Sequence, residues 1–220
     1  MDENIIIDIK RLSFGYPGKP ELLDKFELRV KKGERLGIIG PNGCGKTTVF
    51  YLIMGLLKAL HGTINILGRE RSRENDFIEV RANIGFLFQD SDNQLFCPSI
   101  EEEIAFGPLN FGYKGHQVKD MIKEVLNTVG LDGYEKRIPY TLSGGEKRRL
   151  ALATILVMKP KILLLDEPEN GLDEDAVDKF VEILQEPGLS YIIISQNRDF
   201  LKRTTNTLYT IKQGRAIMAK

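Results

Sequence analysis

The run Gly40-Pro41-Asn42-Gly43-Cys44-Gly45-Lys46-Thr47-Thr48 has the residue types and spacing of a loop that cradles phosphates. It fits G-x-x-x-x-G-K-(S/T) between a short apolar strand and a helix, the context that gives the pattern meaning. Glycines let backbone N–H groups turn inward, and the helix N-terminus adds partial positive charge. Lys46 is placed to reach the β- and γ-phosphates, and the Thr47 hydroxyl to ligate Mg²⁺. A glycine-rich turn with no ligand is the bland alternative, and the flanking elements argue against it. Such a loop needs an acidic strand for the metal. Ile162-Leu163-Leu164-Leu165-Asp166-Glu167 supplies one, with Asp166 at the carboxyl end of a buried strand, where α/β sheets bind ligands. Asp166 is the candidate to hold Mg²⁺ through water. Glu167 is the candidate general base toward an attacking water. Together these residues point to MgATP.

The elements around them read as an α/β chain. Ile5 to Phe14 alternates loosely and Phe26 to Val30 cleanly, which predicts β-structure with a turn at Tyr16-Pro17-Gly18-Lys19-Pro20. Leu36 to Ile39 is a short buried strand, and a helix is expected from Lys46 to about Leu57. Strands follow at His61 to Gly68 and at Ile84 to Phe88. Ser99 and Glu102 have capping-box spacing. Val118, Met121, Ile122, Val125, Leu126 and Val129 form one apolar helical stripe. A helical subdomain is therefore expected at about 92–158, inserted into the α/β core. Strands at Ile162 to Leu165 and Tyr191 to Ile194 flank a helix from Glu174 to Glu186. The last strands are Leu208 to Ile211 and Arg215 to Met218, and the whole reads as a single domain, 1–220.

The 220 residues carry 31 basic and 31 acidic side chains, a net charge of zero, so nothing suggests general attraction to nucleic acid. Cys44 and Cys97 have no metal-ligand spacing, which favours a reducing compartment. The acidic start Met1-Asp2-Glu3-Asn4 is unlike a signal peptide. No run approaches the ~18 apolar residues of a membrane span, so work at a membrane would require another chain to hold this one there. His61 and His116 are isolated and read as surface residues.

Leu142-Ser143-Gly144-Gly145-Glu146 resembles the LSGGQ signature of ABC-type ATPase subunits, with Glu for Gln at the end. Ser143 and Glu146 also form a capping box, so a merely well-capped helix is the plainer reading. The phosphate run, the signature and the acidic strand stand in the family order, and the resemblance covers essentially the whole chain. It implies a P-loop NTPase (RecA-like) core with an N-terminal antiparallel β-subdomain and an inserted helical subdomain. It also implies that Ser143, Gly144, Gly145 and Glu146 address the γ-phosphate held by a second copy or paralogue, so that two subunits sandwich two ATP molecules. By the same resemblance Tyr16 stacks on adenine, unless it is only a turn tyrosine. Gln89 touches Mg²⁺ or the attacking water, and Asp173 belongs to the loop crossing the dimer interface and caps the next helix.

Two further positions depart from the family pattern. Gln196 stands where a histidine contacts the γ-phosphate, which predicts slower hydrolysis still carried by Glu167. Glu169 replaces the common threonine or serine, and Cys44 receives no chemistry. Phe88 to Phe96 and Glu102 to Asn110 resemble the energy-coupling-factor importers of cobalt or nickel ions and vitamins, in which a transmembrane coupling subunit docks on the ATPase at the cytoplasmic face of the membrane. Leu95, Phe96, Ile100 and Phe106 either line that docking groove or form the subdomain core. The end of the chain soon after the last strands tilts the expectation to the cobalt/nickel kind. Other readings are another ABC transporter family, a non-transport ABC ATPase, and a nucleotide-gated interaction subunit that barely hydrolyses.

Overall fold

The computed structural model describes residues 4–219. Met1 to Glu3, in the acidic start considered above, lie outside the described residues. In chain order the elements are β1 (Ile5–Gly15), β2 (Glu21–Lys31), β3 (Arg35–Ile39), α1 (Lys46–Ile53), β4 (His61–Ile66), β5 (Arg69–Glu70), α2 (Asp76–Asn83) and β6 (Ile84–Leu87). They continue with α3 (Ile100–Asn110), α4 (Gly115–Val129), α5 (Gly144–Leu156), β7 (Ile162–Asp166), α6 (Glu174–Leu184), β8 (Ser190–Ile194), α7 (Arg198–Thr204), β9 (Thr207–Lys212) and β10 (Arg215–Met218).

Two sheets organise the chain. One is antiparallel, in the order β2-β1-β4-β5; the other runs β10-β9-β3-β8-β7-β6 and is parallel except for β10 at its edge. The central parallel strands β6, β7 and β8 are almost wholly apolar because both faces are covered. Period-two alternation sends Ile162, Leu164, Ile192 and Ile194 into a core shared with α1 and the antiparallel sheet. Their neighbours Leu163, Leu165, Tyr191 and Ile193 enter a second core with α3 to α7. The expected architecture is therefore present, and the helical subdomain occupies the stretch between β6 and β7.

Several boundaries moved. The first helix stops at Ile53, not Leu57, because Gly55 turns left-handed (φ 68°) with the Phe77 ring packed against it. A Cβ at Gly55 would lie 2.3 Å from that ring. α2 was not foreseen, since it buries only Phe77 and Val80 and leaves Ile78 exposed. α7 was also missed, although Asn197 caps it through Oδ1, which accepts from the backbone N–H groups of Asp199 and Phe200 at 3.0 Å each. α6 ends at Leu184, two residues before the expected stop. The stripe on α4 is confirmed, with Val118, Ile122, Val125, Leu126 and Val129 buried and Met121 partly so.

Among the groove candidates, Ile100 is fully buried and Leu95 partly so, whereas Phe96 and Phe106 lie on the surface, 67% and 49% exposed. Their rings meet edge to face, with centroids 4.9 Å apart. Among the described residues no helix is long and apolar enough to cross a membrane.

Candidate nucleotide site

The parallel strands β3, β8, β7 and β6 are neighbours in that order. The loops leaving their carboxyl ends carry the phosphate run, Gln196, the Asp166–Glu167 turn and Gln89. A cleft of about 1280 Å³ opens there, lined by Tyr16, Asn42, Gly43, Gly45, Lys46, Thr47, Thr48, Gln89, Asp166, Glu167 and Gln196. Glu169, for which sequence reasoning had no role, lines it too, as does Asn170, which opens the Asn170–Asp173 loop that the resemblance places at the dimer interface. Most of the expected site residues are thus brought together by strand ends, as the crevice rule for open α/β sheets requires.

The phosphate loop owes its shape to glycine. Gly45, the N-cap of α1, has φ 103°, and Gly40 has φ 151°, so a side chain at either position would be strained. A Cβ on Gly40 would also meet the Cys44 sulfur at 2.9 Å, which gives Cys44 a packing role under the loop. The Lys46 ammonium is nearly buried and donates to the carbonyls of Gly40 (2.8 Å) and Pro41 (3.0 Å), which centres its charge in the loop.

Thr47 and Asp166 meet although 119 positions separate them: the Thr47 hydroxyl donates to Asp166 Oδ2 at 2.6 Å. Burial pushes the Asp166 carboxyl above its ordinary range, while the Thr47 hydroxyl, Arg148 and Lys46 pull it back. A hydroxyl and a carboxylate side by side are hard oxygen donors suited to a small divalent cation that also binds phosphates. No group of three His, Cys, Asp or Glu able to hold a metal exists among the described residues.

Glu167 sits at φ 47°, a left-handed conformation that costs a non-glycine residue on the order of 1 kcal/mol or more. Its backbone is held on several sides: its N–H donates to Ile194 O at 2.8 Å, and its carbonyl accepts from Arg148 Nη2 at 2.7 Å. One carboxylate oxygen, Oε2, accepts from both Gln89 Nε2 (2.8 Å) and Asn170 Nδ2 (2.6 Å), and no described donor occupies Oε1. The carboxylate is therefore oriented by two amides with one oxygen left to take a proton. Gln196 reaches across from the exit of β8, with Nε2 3.0 Å from Asn42 Oδ1 and 3.4 Å from Gly40 O. Tyr16 stands edge to face against Phe14, its hydroxyl 3.2 Å from Thr48 Oγ1.

The signature residues are not in this cleft. Ser143 caps α5 as the spacing predicts: Ser143 Oγ accepts from Glu146 N (3.3 Å), and Glu146 Oε2 accepts from Ser143 N (2.8 Å). These bonds, with one from the Tyr134 hydroxyl, hold the Glu146 carboxyl below its usual range. Ser143 and Gly144 are exposed and Gly145 is half-buried. A groove lined by Gln89, Asp90, Gly144 and Asn170 runs beside this helix start. Asp173 caps α6, accepting from Ala176 N at 2.8 Å, and does not line the cleft.

Arg148 is the residue sequence reasoning missed. It is 2% exposed and donates to five backbone carbonyls: Nε to Pro168, Nη1 to Phe88 and Gln89, Nη2 to Asp166 and Glu167. Burial lowers it to about 10, while Glu169, Asp166 and Glu167 favour its charge. In the sequence it stands inside the run Glu146-Lys147-Arg148-Arg149, where nothing distinguishes it from a solvated basic residue. Gln94 makes a second tie: Nε2 donates to Ala151 O and Thr154 Oγ1, and Oε1 accepts from Phe88 N. The loop after β6 is thereby fastened to α5.

Comparison with known proteins places this site in a family. Residues 23–170 match the ABC transporter family. The energy-coupling factor transporter ATP-binding protein EcfA of Methanothermobacter thermautotrophicus is 39% identical over 216 residues, covering 96% of this chain and 70% of that protein. The protein of the same name from Methanocaldococcus jannaschii is 37% identical, covering 96% of this chain and 77% of the relative. Among solved structures, CbiO1 of Clostridium perfringens, part of the ABC transporter complex CbiONQ, superposes with a TM-score of 0.87 at 31% identity, covering 97% of this chain and 87% of the other. A dimeric ATP-binding cassette bound to ADP and Pi in a post-hydrolysis state superposes with a TM-score of 0.87 at 25% identity, covering 98% of both chains. At these identities and coverages the relation is one of kinship: the chain belongs to the ABC transporter family and is an ATP-binding, ATP-hydrolysing subunit of the energy-coupling-factor type that energises a transporter.

Proposed function

We propose that this chain drives a membrane importer of cobalt or nickel ions by closing as a dimer around two MgATP molecules, bound peripherally at the cytoplasmic face of the membrane. The observation that carries the reading is the position of Ser143 to Glu146, an exposed helix start outside the cleft that holds the chain's own phosphate loop. A helix N-terminus presents free N–H groups and partial positive charge to an anion, and in this reading a second subunit brings one. In this reading Asp173 lies at the same dimer interface, and Tyr16 stacks on the adenine.

In the cleft, the N–H groups of Gly40 to Thr48 and the Lys46 ammonium hold the phosphates. Thr47, Asp166 and Gln89 hold Mg²⁺, which when bound neutralises charge on the β- and γ-phosphates. Glu167 orients the attacking water and takes its proton at Oε1. Gln196 donates to the γ-phosphate, a neutral contact where a histidine could become cationic. Gln196→His is accordingly expected to raise ATP turnover; a histidine variant no faster than the parent defeats this reading of Gln196.

Phe96, Phe106 and Leu109, exposed on and beside α3, form the apolar surface on which a transmembrane coupling subunit would lay a helix. The resemblance of residues 88–96 and 102–110 supports the energy-coupling-factor group, whose cargoes are cobalt or nickel ions and vitamins, and the likeness to CbiO1 of the CbiONQ complex supports the same group; cobalt or nickel is the cargo proposed within it. The test is copurification from a membrane extract, followed by reconstitution of the captured complex in vesicles. ATP-dependent entry of Co²⁺ or Ni²⁺ is the expected result. A complex that moves neither ion overturns the substrate, and an ATPase that captures no membrane protein overturns the importer role.

A further inference from the structure

Glu169 and Gln196, two of the positions singled out as departures in the sequence, are linked through Ser195. Ser195 Oγ donates to Glu169 Oε1, and the same oxygen accepts from Asn197 N at 2.9 Å. Ser195 N donates to Ile38 O at 3.3 Å, so the backbone on both sides of Gln196 is anchored. A serine hydroxyl has one proton. Spending it on Glu169 turns the oxygen's lone pairs toward the Asn197 N–H, which fixes the path of the chain through Gln196. The other end of the link is equally held. Glu169 stands two residues after Glu167, and the intervening Pro168 carbonyl accepts from Arg148 Nε at 3.0 Å. Glu169 is 8% exposed although it lines the cleft, and its Oε2 has no described hydrogen-bond partner. A buried carboxyl with an unpartnered oxygen is costly, so a packing role alone would be better served by an apolar side chain.

We propose that Glu169 is a positioning residue for ATP turnover: through Ser195 it joins the turn that bears Glu167 to the segment that bears Gln196, and so holds the Gln196 amide against the phosphate loop. It acts at a distance from phosphate, through the bond to Ser195 and the 3.0 Å contact of Gln196 with Asn42. This rests on the assignment of Glu167 and Gln196 to hydrolysis made above.

The test measures kcat and KM for ATP in the full chain and in Glu169→Ala, Glu169→Gln and Ser195→Ala, with thermal unfolding alongside, and repeats Glu169→Ala in a Gln196→Ala background. Misplacing a reacting group costs rate steeply, so Glu169→Ala and Ser195→Ala are each expected to lower kcat roughly tenfold with KM close to the parent's. Glu169→Gln restores turnover, because its carboxamide oxygen accepts the same hydrogen bond. In the Gln196→Ala background Glu169→Ala brings no further loss. Parent-like turnover in Glu169→Ala, turnover in Glu169→Gln as slow as in Glu169→Ala, or a full further loss in the Gln196→Ala background each overturns the proposal. Glu167→Gln run in parallel separates the two levels. Unchanged turnover there overturns the cleft assignment itself, whereas its loss beside parent-like Glu169→Ala overturns only the link.

Discussion

Glu167→Gln is expected to bind ATP as the parent does and to turn it over at least about 100-fold more slowly, the scale of a lost general base. The substitution is nearly isosteric. Its amide oxygen can still accept from Gln89 and Asn170, which donate at 2.8 and 2.6 Å, so the turn after β7 keeps its orientation. What disappears is the basic oxygen that no described donor occupies. The same variant reads out the dimer: with hydrolysis blocked, ATP holds the two subunits together, and gel filtration with ATP should show a mass doubled relative to the nucleotide-free protein. Turnover within a few-fold of the parent would remove Glu167 from the chemistry. A slow variant that stays monomeric at high ATP would instead defeat the two-subunit sandwich.

Arg148→Ala carries the largest expected cost to the fold. The guanidinium donates to the carbonyls of Phe88, Gln89, Asp166, Glu167 and Pro168, and its removal leaves a hole beside the buried Asp166 and Glu169, in which the Glu167 carbonyl keeps a backbone partner, the Asn170 N–H at 3.1 Å. Each buried acceptor left unsatisfied costs about 1–3 kcal/mol, less where water enters the cavity. The sum should reach about 3–5 kcal/mol, a large share of the about 5–15 kcal/mol that holds a domain together. Arg148→Lys should fall between, since an ammonium has three donors for five acceptors and no planar fork. Urea unfolding measures the loss. Turnover of whatever remains folded should also fall, because the same five bonds align the carboxyl ends of β6 and β7. An Arg148→Ala midpoint equal to the parent's would show that the carbonyls find water instead.

The phosphate loop could be read directly because its chemistry is local. The left-handed glycines, the helix that starts at Lys46 and the Ser143–Glu146 capping box depend on contacts within three or four residues. Continuous apolar runs likewise made β7 and β8 visible as buried strands. α2 and α7 escaped because they are short. Too few of their residues are buried for a helical period to stand out, although Asn197 did carry a cap signal. Leu95, Phe96, Ile100 and Phe106 were equivalent as apolar letters. Only the packing of α3 against α5 and the sheet put Ile100 inside and left Phe96 and Phe106 outside.

The sequence by itself therefore determined the ligand class and the family, through motifs whose meaning lies in consecutive residues and whose order along the chain is specific. Tertiary structure decided which residues act together. The strand order β3-β8-β7-β6 brings Thr47 to Asp166, Gln196 to Asn42 and Gln89 to Glu167. It also turns Arg148, one basic letter among three, into a buried clamp on five carbonyls. The physical reason is range: dihedral preferences and caps are set by near neighbours in the chain, whereas hydrogen bonds between loops exist only once the sheet has placed their strand ends side by side.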